Sequence, residues 1–158
     1  MSFDKKVVLT CAINGGGTQK GNGRGQTPYL PITVEEVAAD AKRAYDAGAT
    51  IIHLHARNPI TSQVYKGGET AANTSMFMEL AEAIKSKAPK AIINFTTGGG
   101  MGQTFEDRLD PVLKYKPPIA SFTGGMFNYA RYSKTAGKFV IDGTAQLSFA
   151  TMLEYAKA

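Results

Sequence analysis

The chain contains one cysteine, Cys11, and only two histidines, and no apolar run in it approaches the roughly 18 residues of a membrane span. A lone cysteine excludes an internal disulfide framework and fits a reducing compartment. Residues 1–6 lead into an apolar run with no small-residue cleavage site, so no secretory signal is expected and the expected location is cytoplasmic. Acidic charge is also in the minority, with 18 Lys and Arg against 13 Asp and Glu. The excess of five positive charges is scattered, and no aromatic platform alternates with it, which argues against a nucleic-acid partner. An anionic small molecule suits such a mildly basic surface. With 158 residues, 43% of them hydrophobic, the chain is long enough to bury a core without a disulfide or metal staple.

What is present is an alternation of strand and helix patterns. Residues 7–13 form a short, β-branched and nearly all-apolar run, which reads as a strand buried on both faces. A glycine-rich loop from Asn14 to about Thr27 follows, within which residues 20–25 read as a solvated connection. Thr33 and Glu36 form a capping box, and Val34, Val37, Ala38, Ala41 and Tyr45 then repeat at three and four until Gly48. Residues 50–56 are the second strand. A second helix carries the stripe Phe77, Leu80, Ala81, Ile84 and Ala88 and ends near Pro89. Residues 91–95 and 119–123 read as the third and fourth strands. Between them Thr104 caps a helix carrying Phe105, Leu109 and Val112, and a last helix is expected to open at Gly143 or Thr144.

Four short strands joined by long crossovers demand a parallel sheet flanked by helices. An open doubly wound sheet and half of an eight-stranded barrel are the two candidates. The loop after the first strand is not G-x-G-x-x-G entering a helix, and no acidic residue closes the second strand as a dinucleotide ribose requires. The barrel is therefore favoured: an α/β chain covering about the first four units of a (β/α)8 TIM barrel, as one domain. A complete barrel takes about 250 residues, so a second half is expected to complete it.

The second strand carries His53, His55 and Arg57 at alternate positions, so all three share one face. Two imidazoles at this spacing can grip one divalent ion, with zinc the natural candidate. Core histidines bonded to main-chain carbonyls would give the same pattern. Catalytic zinc takes three protein ligands, and no other histidine exists in the chain, so the third would be a carboxylate. Glycine and hydroxyl residues close the other strands at the same end, where barrel active sites form. There Thr97, Gly98 and Gly99 offer main-chain N–H groups as a nest for a carboxylate.

Five segments occur in a familiar order: Cys-Ala-Ile-Asn-Gly at 11–15, Pro-Ile-Thr-Val-Glu-Glu at 31–36, Ala-Gly-Ala at 47–49, His-Leu-His-Ala-Arg at 53–57 and Thr-Thr-Gly-Gly at 96–99. Together they resemble the β-keto acid cleavage enzymes over nearly the whole chain. The resemblance implies a (β/α)8 barrel, commonly a homotetramer, that exchanges a β-keto acid with acetyl-CoA to give acetoacetate and a new CoA ester. It implies zinc on His53 and His55, with a glutamate and an Arg–Asp pair supplied by a C-terminal half. It implies substrate contacts from Thr96 and Gly99 and, after the fourth strand, from Ser121 and Thr123. Arg57 is then either a partner behind the ligands or a structural cation at the rim. One position departs: the aminohexanoate-cleaving members carry a glutamate in the loop after the first strand, where this chain has Gly17. Without that carboxylate a cationic amine loses its partner, so a β-keto acid lacking the amine is expected. A metal-dependent aldolase that needs no CoA, or a non-catalytic metal-binding half-barrel, are the alternatives.

Overall fold

The computed structural model describes residues 6–17, 19–21, 26–98, 102–125, 127–145 and 148–158. In chain order the elements begin with β1 (Thr10–Ala12), β2 (Gln19–Lys20), β3 (Gln26–Thr27), α1 (Val34–Asp46) and β4 (Ile51–Leu54). They continue with α2 (Thr70–Lys87), β5 (Ile92–Thr96), α3 (Phe105–Tyr115), β6 (Ile119–Ser121), β7 (Phe127–Ser133), β8 (Lys138–Ala145) and α4 (Phe149–Lys157). The residues sort into two compact units, Met1–Ser121 and Phe122–Ala158.

In the first unit β1, β4, β5 and β6 form one parallel sheet in that spatial order. A doubly wound sheet reverses its order at a switch point, and these four strands do not reverse. Residues of α1, α2 and α3 pack on one face of this sheet. The core lies there: Ile52, Leu54, Ile93 and Phe95 are fully buried against Val37, Ala38 and Ala41 of α1 and Phe77, Leu80, Ala81 and Ile84 of α2. Phe95 stacks between Phe77 and Tyr115, with ring centroids 4.6 and 5.2 Å away. Helices α2 and α3 are tied by hydroxyl–carboxylate bonds, Thr70 to Asp107 and Thr74 Oγ1 to Asp110 Oδ2 at 2.6 Å.

Local signals explain the helix limits. Thr33 accepts from the Glu36 N–H while the Glu36 carboxylate accepts from the N–H groups of Ile32 and Thr33. Those bonds, with the Lys20 ammonium 3.1 Å away, hold the Glu36 carboxyl down at about 2. Gly48 follows the C-cap at φ +107°, a backbone region that costs other residues steric strain. Thr104 and Asp107 repeat the capping box on α3.

Two expectations are corrected. The first strand is three residues long rather than seven, and Val7, Val8 and Leu9 are exposed instead of buried on both faces. β1 is an outer strand of this sheet, with β4 as its one neighbour, and α1 and α2 cover β4 and β5 instead. Gly143 and Thr144 do not open a helix. They belong to β8, which pairs antiparallel with β7 around a turn at 134–137. The β-branched and aromatic run Phe139, Val140 and Ile141 favours a strand, and α4 starts later, at Phe149, behind the N-cap Ser148, whose hydroxyl accepts from the Thr151 N–H. In this second unit Tyr132 packs edge-on against Phe139, and Phe122 stacks on Tyr155.

Candidate metal and substrate site

The sheet face opposite the helices carries the chemistry. Strand alternation puts His53, His55, Asn94, Thr96 and Ser121 on that face, all half-buried, with Ile52, Leu54, Ile93 and Phe95 on the other. Register places His53 beside Asn94 and Thr96 beside Ser121, so His55 continues the row of Thr96 and Ser121.

The two imidazoles converge. His53 Nε2 and His55 Nε2 lie 3.3 Å apart, with the ring planes at 76°. Two nitrogens each about 2.05 Å from one tetrahedral ion stand about 3.3 Å apart, so the pair fits as two ligands of a zinc-like centre. That separation also suits a weak N–H···N contact between neutral rings, and metal ligands must likewise be neutral. Burial first, then the charges of His53 and Arg57, pull the His55 pKa down to about 4. Burial lowers His53 as well, opposed by the neighbouring Asn94 side chain. Both shifts favour the neutral imidazole, the form a metal ligand requires. Among the described residues no third histidine, cysteine or carboxylate joins them to complete a metal cluster.

The loop after β1 locks the histidine strand. Asn14 is buried and clamps the main chain of His55: its Nδ2 donates to the His55 carbonyl at 2.8 Å, and its Oδ1 accepts the His55 N–H at 3.1 Å. Arg57 is 1% exposed. Its Nε donates to the Gly15 carbonyl at 3.0 Å, Nη1 to the Ser62 carbonyl at 2.7 Å and Nη2 to the Asn14 carbonyl at 3.1 Å. Main-chain oxygens thus offset the cost of burying the guanidinium, which staples two loops together. A Cβ added at Gly16 would stand 3.0 Å from His55 Cε1 and Nδ1, so a larger residue there presses on the ring.

A match to the beta-keto acid cleavage enzyme family covers residues 6–157. The chain belongs to that family. It is 40% identical over 125 residues to the 3-keto-5-aminohexanoate cleavage enzyme of Acetoanaerobium sticklandii, covering 79% of this chain and 41% of that protein. It is 35% identical over 132 residues to the 3,5-dioxohexanoate:acetyl-CoA acetone transferase of Paraburkholderia graminis, covering 84% and 39% respectively. The chain thus spans about two fifths of the length of these relatives, both of them enzymes. The structure of ObcA in a ternary complex with a C4-CoA adduct and oxalate superposes with a TM-score of 0.57 at 18% identity, over 85% of this chain and 29% of that one. That likeness concerns the fold alone.

The remaining site candidates separate. Thr96 is half-buried, and its Oγ1 accepts from the Gly98 N–H at 3.0 Å, which leaves the hydroxyl proton to donate elsewhere. Thr97 is buried, and both its N–H and its hydroxyl donate to the Ser121 carbonyl, at 3.0 and 2.9 Å. The expected nest of N–H groups from Thr97 to Gly99 is therefore not available in that form, because Thr97 and Gly98 have already placed theirs. Thr97 pins β5 to β6 instead. Gly99 lies outside the described residues, as do residues 22–25 of the first loop. Thr123 belongs to the second unit. Gly17 is exposed, and a Cβ there meets nothing within 4 Å, so the position has room for a larger side chain.

Sequence reasoning took residues 14–17 for an anion-binding loop or a flexible connection and passed over Asn94. Asn94 was within reach, because it precedes Thr96 by two in a strand and so shares its face. The Asn94 Oδ1 is buried and has no hydrogen-bond partner among the described residues. The motif at 11–15 includes Asn14, but the contacts of Asn14 and Gly16 with His55, some forty residues away, are visible only in the structure.

Proposed function

We propose that the complete protein is a zinc-dependent β-keto acid cleavage enzyme, and that this chain contributes the first four β/α units of its (β/α)8 barrel. The proposed reaction converts a β-keto acid and acetyl-CoA into acetoacetate and a new CoA ester. The observation that carries this reading is the pair of neutral Nε2 atoms 3.3 Å apart on the open face of a parallel sheet. The A. sticklandii and P. graminis relatives support the choice of substrate class, the latter through the acetyl-CoA in its name.

Each residue has a definable task in this reading. His53 and His55 hold the ion, and a glutamate from the C-terminal half completes the set, as the family resemblance implies. A divalent ion bound there supplies Lewis-acid polarisation of the β-keto oxygen, which is worth several kcal/mol as negative charge develops. Asn14 fixes the main chain of His55, Gly16 lies against its ring, and Arg57 holds the loop that carries both. Thr96 and Ser121 orient the substrate through their hydroxyls, with Thr97, Gly98, Gly99 and Thr123 kept as further candidate contacts. Gly17 sets specificity: with no carboxylate in that loop, a cationic amine has no partner, and a β-keto acid with a neutral tail is the preferred substrate. The same reading takes the protein as a cytoplasmic homotetramer that binds no nucleic acid or membrane, and no described helix is long and apolar enough to cross one.

Metal analysis of the full-length protein is the direct test. About one equivalent of divalent ion per chain is expected, and His53→Ala should remove both the ion and turnover while far-UV circular dichroism stays unchanged. A protein that binds no ion after metal-replete expression refutes the proposal. Carbon–carbon cleavage that proceeds without acetyl-CoA replaces it with the aldolase reading.

A further inference from the structure

On the open face of the sheet one polar atom has nothing to bond. Asn94 Oδ1 is buried and lacks a hydrogen-bond partner among the described residues. Strand register pairs Asn94 of β5 with His53 of β4, and alternation sends both side chains to the same face, where they are neighbours. A carbonyl oxygen withdrawn from water without a donor is costly, so such an atom calls for a proton to meet.

The paired imidazoles identify that proton. A neutral imidazole holds one, on either Nδ1 or Nε2. Without an ion, the 3.3 Å contact between His53 Nε2 and His55 Nε2 needs a proton on one of the two atoms, since two bare lone pairs repel. An ion between them needs both Nε2 atoms bare, which puts both ring protons on Nδ1. The ring that donated must then exchange tautomers: one proton leaves Nε2, one joins Nδ1, and the ring stays neutral. With His53 as the donor in the empty pair, its Nδ1 presents a lone pair and the Asn94 oxygen beside it goes unmatched, as it does in the structure.

We infer that Asn94 is a positioning residue for His53: its Oδ1 accepts the Nδ1 proton that ion binding relocates, and so holds the ring with its Nε2 lone pair toward the ion. The inference rests on the proposed zinc site for the identity of the ion, and on the orphaned oxygen and the strand register for the residue. A hydrogen bond from the second ring nitrogen to an oxygen fixes the tautomer and makes the ligating nitrogen more basic. An amide oxygen does this without adding negative charge to the centre.

The test follows the His53 ring nitrogens by nuclear magnetic resonance in full-length protein, metal-free and after addition of zinc. Their signals are assigned by their loss in His53→Gln. The His53 proton should sit on Nε2 in the metal-free protein, and zinc should move it to Nδ1 and shield it from exchange with solvent. Asn94→Leu, of similar size but without an acceptor, should weaken zinc binding about tenfold and speed exchange of the Nδ1 proton. Asn94→Asp, which restores an oxygen at the same place, should bind zinc at least as tightly as the parent and tests the acceptor even where the leucine variant fails to fold. A His53 proton that stays on Nε2 with zinc bound, or a zinc affinity in Asn94→Leu equal to the parent's, overturns the inference and leaves the zinc site standing. A full-length protein that takes up no zinc removes both the inference and the proposed function.

Discussion

The two faces of β4 and β5, with His55 directly after β4, draw on alternate residues of the same two short runs and behave in opposite ways. On one face Ile52, Leu54, Ile93 and Phe95 are sealed under α1 and α2. On the other His53, His55, Asn94 and Thr96 stay half-buried, with two lowered imidazole pKa values and an unmatched amide oxygen. A period of two is enough to divide one strand pair into a stability surface and a chemistry surface. The lesson is that damage to the two faces should be separable.

The largest expected effect falls on the helix side. Phe95→Ala removes a ring packed between Phe77 and Tyr115 and should cost about 3–5 kcal/mol, read as a lower denaturation midpoint of the full-length protein. His53→Ala, on the opposite face of the adjacent strand, should leave that midpoint nearly in place while abolishing metal binding. Equal destabilisation by both would erase the distinction between the faces.

A second effect comes from acid. The His55 pKa lies below its ordinary value near 6.5. The unfolded chain therefore takes up a proton before the folded one does. Stability from this source is complete above about pH 6.5 and declines as pH falls toward about 4, where the folded ring also protonates. A pH series of unfolding measurements on the metal-free protein checks the direction, and His55→Gln should flatten the slope in that window. Stability that rises on acidification would show that the ring is not buried as described.

The smallest effect is local to the site. Gly16→Ala places a methyl group against the His55 ring and should weaken zinc affinity about tenfold, the scale of a disturbed supporting contact. Competition with a chelating dye measures it, and the Phe95 side should not register the change. An unaltered zinc affinity would mean that the loop can retreat from the ring.

How much of this could be read beforehand follows the range of each interaction. The capping box at Thr33 and Glu36, the stripe along α1 and the stop at Gly48 are local, and all appear where their residue types demand. The shared face of His53 and His55 is equally local. Residues 7–9 misled because an apolar run does not say whether a neighbour will cover it, and β1 lies at the outside of this sheet. Residues 139–145 misled because hairpin pairing outweighed a glycine and threonine that resemble a helix start. Thr97 misled in another way. The glycines beside it suggested anion binding, but its N–H and hydroxyl meet the Ser121 carbonyl, a partner 24 residues away.

By itself, then, the amino-acid order determined the alternation of strands and helices, the family, and the pairing of two imidazoles on one side of a strand. Those properties depend on periods of two and of three to four residues, which any window of the chain reveals. Only the tertiary structure decided that the strands run in unreversed order, that Asn14 and Arg57 bind loop to strand, and that the Asn94 oxygen is buried beside His53 with no hydrogen-bond partner among the described residues. These depend on which distant segments meet, and that is settled by burying apolar surface and satisfying polar groups across the whole unit at once.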